Sequence, residues 1–191
     1  MKRSTDGRRT CNHKRVPSYL DPDEVNQNQN EDWLLLQNGP ASFVRKIEIL
    51  DELVSELRKL GYVVHRLQAG AWQDDSDMHD SVASAFSFPT YYGRNWPALS
   101  DCLSDVAGYA YGSDPDSAGT VVVLEQFSSF QKQDRESADG LVQELVEVAW
   151  RGLLFGHRVI TLVQVDETHP EISLSSQQVH WNRHEWPTDR R

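Results

Sequence analysis

Three runs of apolar residues have the length and composition of β-strands. They read YVVHRL (62–67), TVVVLEQF (120–127) and RVITLVQV (158–165), and the second begins with consecutive β-branched residues. The second run is typical of a strand that is covered on both faces, as strands of parallel sheets are. Segments with helical periodicity separate the runs. The pattern therefore predicts an α/β fold, in which helices cover a small three-stranded parallel sheet.

Four segments repeat apolar residues every three or four positions, which is the spacing of amphipathic helices. They cover about 47–60, 76–86, 96–106 and 138–154. Asn95 can cap the third helix, and Pro97 suits its first turn because that turn does not use its N–H group. The residues that this helix would bury are Leu99, Cys102, Leu103 and Val106.

The two ends of the chain differ from this core in composition. The first 30 residues are rich in Arg, Lys, Asn, Gln, Asp and Ser, which predicts a disordered tail. The apolar run DWLLLQ predicts a short strand at 33–37, ahead of the first helix. The predicted divisions are a basic tail (1–30), a strand-helix extension (31–61), the main domain (62–165) and a polar C-terminal extension (166–191).

The chain of 191 residues is acidic, with a formal net charge of -10. Residues 1–16 hold six bases and one acid, a charge of +5, so the remainder carries -15. Because nucleic-acid phosphates would be repelled by such a surface, the charge argues against a nucleic-acid partner and favours a basic one. Acidity can also serve solubility alone, and both interpretations stay open on this evidence.

The remaining composition predicts a soluble cytoplasmic protein without membrane association. No apolar run has the length of a membrane span, and the basic start is not followed by the apolar stretch of a secretion signal. The two cysteines, Cys11 and Cys102, make no disulfide framework, which fits a reducing compartment.

The usual signatures of catalysis and cofactor binding are missing from the sequence. The glycines form neither G-x-G-x-x-G nor G-x-x-x-x-G-K-[ST], the two phosphate-binding patterns. His180 and His184 are four residues apart, but no third metal ligand accompanies them. Cys102 falls on the apolar face of its helix, where a thiol acts as a small core side chain. We therefore expect no enzyme activity, no cofactor and no metal.

One turn and the helix after it concentrate aromatic and acidic residues. The segment reads FPTYYGRNWPALSDCL (88–103), and Asp101 and Asp105 fall four residues apart, on the face opposite the apolar positions. Aromatic side chains lose little conformational entropy on binding, and neighbouring carboxylates can imitate phosphates for a basic partner. The alternative is that the carboxylates are only a solvated face and that Tyr91 belongs to the core.

This segment resembles the signature of the barstar family, whose members inhibit extracellular ribonucleases. That signature is a proline, two tyrosines, Gly-x-Asn and then x-x-Ala-Leu-x-Asp-Cys-Leu, and it matches from Pro89 to Leu103. The preceding SDMHDSVASAF resembles the first helix of the family. TVVVLEQFSSF resembles its middle strand, and GHRVITLV resembles its last strand. The resemblance covers about residues 62–165.

The resemblance implies an intracellular inhibitor, or immunity protein, that is a monomer when free and blocks the active site of a basic ribonuclease. The acid at Asp101 would occupy the phosphate pocket of the enzyme, and the tyrosines would pack at and beside the interface. The partner-binding residues implied are Tyr91, Tyr92, Gly93, Asn95, Trp96, Ser100, Asp101, Ser104 and Asp105.

Three positions depart from the best-known member of the family. Pro97 stands in place of an acid, Ser100 in place of a tryptophan and Arg151 in place of a glutamate on the last helix. A second hypothesis is therefore a binding module of the same fold whose partner is not a nuclease. An enzyme built on this scaffold is the third.

Overall fold

A computed structural model describes residues 30–166 and 179–185 of the chain. Its centre is a parallel sheet with the strand order β2-β3-β4-β1-β5. The strands are β1 (Ala41–Val44), β2 (Tyr62–Gln68), β3 (Gly119–Glu125), β4 (Val159–Gln164) and β5 (His180–Trp181). The predicted α/β fold with a parallel sheet is confirmed, but the sheet has five strands rather than three.

Six α-helices lie in the described residues and cover both faces of the sheet. They are α1 (Glu31–Leu36), α2 (Ile47–Lys59), α3 (Asp75–Phe86), α4 (Trp96–Ala107), α5 (Phe127–Gln133) and α6 (Arg135–Leu153). Short 3-10 turns lie at Ala69–Ala71 and Arg183–Glu185.

The two helical layers meet the sheet through alternate residues of β3. Val121 and Val123 pack in the cluster that contains α1 and α2. Val122 and Leu124 point to the other face and pack with α3 to α6. Because successive side chains of a strand point to opposite faces, the unbroken apolar run of β3 serves both layers. All seven residues of β3 are buried, as its composition predicts.

The strand predicted at 33–37 is wrong, because this segment is helical. α1 spans Glu31–Leu36 and buries Asp32 and Leu35. A short apolar run does not distinguish a helix from a strand by its periodicity. The strand of this region begins later, at Ala41, and pairs in parallel with β4. The segment before residue 62 therefore contributes a strand to the main sheet.

A partly buried ion pair fastens α1 to the sheet. The Asp32 carboxylate accepts hydrogen bonds from the Tyr62 hydroxyl and from Arg158 Nη1, both at 2.9 Å. It also accepts the backbone N–H of Trp33 at 2.8 Å. Burial, followed by the negative charge of Asp32, raises the pKa of the Tyr62 hydroxyl. Asp32 therefore joins α1 to the beginnings of β2 and β4.

The described part of the C-terminal segment, residues 179–185, packs against the same N-terminal region. β5 pairs with β1, and Glu185 accepts the backbone N–H groups of Arg45 and Lys46 at 2.9 and 2.8 Å, just before α2. The predicted basic tail lies outside the described residues except for Asn30, as do residues 167–178 and 186–191 of the predicted C-terminal extension. Among the helices that are described, none is long and apolar enough to span a bilayer.

Candidate partner-binding surface

The turn before α4 is held by the side chain of Asn95. Its Oδ1 accepts the N–H of Ala98 at 3.0 Å, which caps the helix as the sequence predicts, and its Nδ2 donates to the Gly93 carbonyl at 3.0 Å. Arg94 has a left-handed backbone (φ 48°), and its Nε lies 2.7 Å from Asp80 Oδ1 of α3. The turn therefore reaches α4 in a defined conformation.

The two adjacent tyrosines have different surroundings. Tyr91 is 80% exposed, whereas Tyr92 is half-buried and its hydroxyl lies 2.6 Å from Nδ1 of His79. Burial raises the pKa of Tyr92 and lowers the pKa of His79, so both groups are neutral at pH 7. Tyr92 therefore anchors the turn to α3, and Tyr91 faces outward.

Trp96 also has a structural role in the free protein. Its ring centroid lies 5.7 Å from that of His79, in an edge-to-face arrangement. The same indole covers Gly140 of α6, where an added Cβ would meet the ring at 2.8 Å. Trp96 therefore packs the beginning of α4 against both α3 and α6.

Asp101 and Asp105 lie on the exposed face of α4, and Leu99, Cys102 and Leu103 are buried beneath them. Within residues 30–166 and 179–185, neither carboxylate takes part in a hydrogen bond or ion pair. Burial raises the pKa of the Cys102 thiol, and both carboxylates raise it further. A protonated thiol of this kind is a packing group and not an activated nucleophile.

Ser104 makes one hydrogen bond to Ser100 within α4 and another to α6. Ser104 donates its hydroxyl to the Ser100 carbonyl at 2.6 Å and accepts a hydrogen bond from Arg151 Nη1. Arg151 Nη2 lies 3.6 Å from a carboxylate oxygen of Glu144 and 3.5 Å from one of Glu147. The charge of Arg151 is therefore balanced by its own helix. The spacing of Glu147 and Arg151 indicates their ion pair in the sequence, but nothing there indicates the link to Ser104.

Tyr111 lies next to this surface, although it is not among the residues predicted from the sequence. A hydrogen bond with Tyr91, with burial adding to it, raises the pKa of Tyr111 to about 12. The Tyr111 ring packs edge-to-face on Phe88, with 5.9 Å between the centroids. Tyr91 therefore stands at the rim of an aromatic group that continues under the turn.

The structure brings the predicted site residues together on α4 and the turn before it. The exposed members are Tyr91, Gly93, Asn95, Asp101 and Asp105, and the half-buried members are Tyr92, Trp96, Ser100 and Ser104. The histidine pair considered for a metal does not share a helix, since His180 is in β5 and His184 contacts Glu31 at 3.0 Å. In the part of the chain that is described, no group of three or more His, Cys, Asp or Glu side chains could hold a metal ion.

The motif and the fold agree with a family comparison. The family model described as Barstar (barnase inhibitor) matches residues 62–161, which is more than half of the chain. The chain belongs to the barstar family. Members of the barstar family are inhibitors and not enzymes. No curated protein matches the chain. The barstar match begins with β2 and ends within β4, so β1 and β5 lie outside it.

Proposed function

We propose that this protein inhibits a ribonuclease by covering the active site of the enzyme with α4 and the turn before it. The observation that carries the proposal is the exposed carboxylate of Asp101, which is held on a packed helix just after the turn that exposes Tyr91. A ribonuclease binds RNA phosphates with cationic groups. Asp101 would take the place of such a phosphate in that pocket.

The scaffold under Asp101 favours tight binding because little of it has to be ordered on association. Asn95 caps α4, and Trp96 and Tyr92 fix its beginning against neighbouring helices. Preorganisation reduces the entropy that binding costs, so a larger part of the interaction energy appears as affinity. A buried charge pair with the cations of the enzyme would hold the complex together.

The charge of the domain fits a basic target. Residues 62–165 hold 14 acids and 6 bases, so their net charge is -8. Opposite charges speed the encounter of two proteins and align their binding surfaces. The expected partner is therefore a basic ribonuclease.

A binding module with a partner other than a nuclease is the second candidate. It is favoured by Arg151, which stands where the best-known member of the family has an acid and which is already paired with Glu144 and Glu147. Such a module would bind through the same surface without blocking RNA cleavage.

The test is inhibition of RNA cleavage by the purified chain. The enzymes are barnase and the basic ribonuclease that the immobilised chain captures from the culture medium of its source. We expect stoichiometric inhibition of at least one enzyme, its loss in Asp101→Ala, and no change in Glu52→Ala, an exposed acid of α2. A captured protein that is not a ribonuclease, together with an unaffected barnase, would favour the second candidate.

A further inference from the structure

Four large apolar side chains are exposed together at the end of α6. Trp150 is 47% exposed, Leu153 50%, Leu154 83% and Phe155 60%; we call this group the apolar helix end. Together they present on the order of 400 Å² of apolar surface, judged from the full size of such side chains. A contiguous patch of this size on a monomer is often functional.

The apolar helix end is adjacent to α4, the helix of the proposed inhibitory surface. Arg151, beside Trp150, donates to Ser104. The Tyr109 hydroxyl, just after α4, donates to the Gly156 carbonyl at 3.2 Å. The Tyr109 ring also stacks on His157, with 4.2 Å between the centroids. These contacts make one continuous surface from the C-terminal half of α4 to the apolar helix end.

The size of α4 shows that a protein partner has to reach beyond it. Twelve residues of helix are about 18 Å long. A stable interface covers about 800 Å² on each protein, which is more than one exposed strip of such a helix provides. A partner centred on Asp101 and Asp105 therefore also covers neighbouring elements, and α6 is one of them.

The charges around the apolar helix end favour a basic partner over a second copy of the chain. Arg151 is balanced by Glu144 and Glu147, so it presents no unpaired positive charge to a basic protein. Two copies of the chain would repel each other, since each has a net charge of -10. A basic protein would be attracted to the exposed carboxylates of α4 nearby.

We infer that the apolar helix end is the second part of the inhibitory interface, and that the target ribonuclease carries an apolar patch beside its basic active site. The inference rests on the proposed function. Asp101 would supply the charged contact, and Leu154 and Phe155 would supply apolar area that loses water on binding. An interface with both parts has the usual arrangement of a few anchors within a larger complementary surface.

The test compares the double variant Leu154→Ser/Phe155→Ser with Ile47→Ser and Asp101→Ala. Ile47 is the matched control, because it is 38% exposed and lies on α2 in the other helical layer. The probes are barnase and the captured ribonuclease, and the dissociation rate is measured at low and at high salt. We expect the double variant to dissociate about ten- to a hundredfold faster at both salt concentrations, since salt screens charges but not apolar contacts.

Three other results would contradict the inference, and they show whether the proposed function fails with it. If Asp101→Ala dissociates faster but the double variant does not, the inference is wrong and the proposed function stands. If the wild type blocks neither ribonuclease, the proposed function fails and the inference falls with it. If sedimentation shows a wild-type dimer that the double variant does not form, the apolar helix end binds a second copy instead. An unchanged melting temperature of the double variant confirms that it is folded.

Discussion

Two aspartates, one buried and one exposed, show that charged groups of this protein have either a structural role or a free surface position. Asp32 is 6% exposed and accepts three hydrogen bonds, from Trp33, Tyr62 and Arg158. Asp101 is exposed, and its carboxylate has no partner among the described residues. The first carboxylate stabilises the fold, and the second is available to another molecule. We therefore expect substitution of Asp32 to affect the stability of the free protein, and substitution of Asp101 to affect binding.

The largest effect is expected from Asp101→Ala, in the complex. If Asp101 enters a desolvated cationic pocket, its removal leaves buried cations unpaired, at a cost of about 2–5 kcal/mol in binding. The free protein should change by no more than about 0.5 kcal/mol, as at other exposed sites. Dissociation rates and urea unfolding measure the two quantities. Equal dissociation rates for variant and wild type would mean that this surface is not the inhibitory one.

Asp32→Ala should show the opposite pattern. It leaves Arg158 and the Tyr62 hydroxyl without their acceptor, and Arg158 is half-buried, with 29% of its side chain exposed. We expect a loss of about 2–4 kcal/mol in the free energy of unfolding and no direct effect on dissociation of the complex. Glu56→Ala is the control, since its ion pair with Lys59 is exposed and contributes little. A stable Asp32→Ala protein would contradict the anchoring role of α1.

The interactions of the two aspartates should also differ in their dependence on salt. Association with a basic ribonuclease should slow by about ten- to a hundredfold between low and high salt, because exposed opposite charges attract over only about 8–10 Å at physiological salt. The unfolding free energy should depend on salt less, because the Asp32 carboxylate is buried and its ion pair is screened less than an exposed one. Stopped-flow association rates measure the first effect. Rates that do not change with salt would remove the electrostatic part of the proposed function.

Asn95→Ala tests the support of the surface that carries Asp101. The loss of this helix cap should cost about 1 kcal/mol in the free energy of unfolding. Thr90→Ala, an exposed position in the same turn, is the control. Chemical denaturation compares the two. An Asn95→Ala protein as stable as its control would show that the turn does not depend on the two hydrogen bonds of Asn95.

His79 predicts a smaller, pH-dependent effect. Burial lowers its pKa in the folded protein, and the charges of Asp75 and Asp80 only partly oppose this. Between the folded and the unfolded pKa the unfolded chain binds more protons, so the stability is complete above about pH 6.5 and falls as the pH is lowered toward the folded pKa. His157, whose pKa burial also lowers, acts in the same direction.

His79→Asn should therefore lose stability less steeply than the wild type between pH 7 and pH 5. Thermal unfolding at each pH measures the slope, and His157 remains in both proteins as an internal reference. Parallel stability curves would show that His79 does not contribute to the acid sensitivity of the turn.

The sequence predicted the parts of the fold that depend on long local patterns. The sequence indicates β2, β3 and β4 because each contains a run of apolar, mostly β-branched residues. β1 and β5 were missed, since a four-residue and a two-residue strand are too short to show a period. Their pairing with distant residues defines them, as between Phe43 and Trp181.

In the candidate site too, the local sequence predicts some features but not the contacts between distant residues. The outward direction of Asp101 follows from the helical period, and the cap at Asn95 follows from the residues beside it. The contacts of Tyr92 with His79 and of Ser104 with Arg151 join separate helices. Nothing in the local sequence indicates which side chains of two helices meet.

The position of β1 bears on aggregation. β4 has five of its six residues fully buried, and β1 occupies its outer side with a register from Ala41 opposite Thr161 to Val44 opposite Gln164. A chain that began at residue 62, where the family match begins, would expose this apolar strand as an unpaired edge, which is a template for sheet growth between molecules. Among the described residues, the outer strand on this side is β5, with only two residues. The segments outside the family match thus act as a cover that keeps one molecule from adding its sheet to the next.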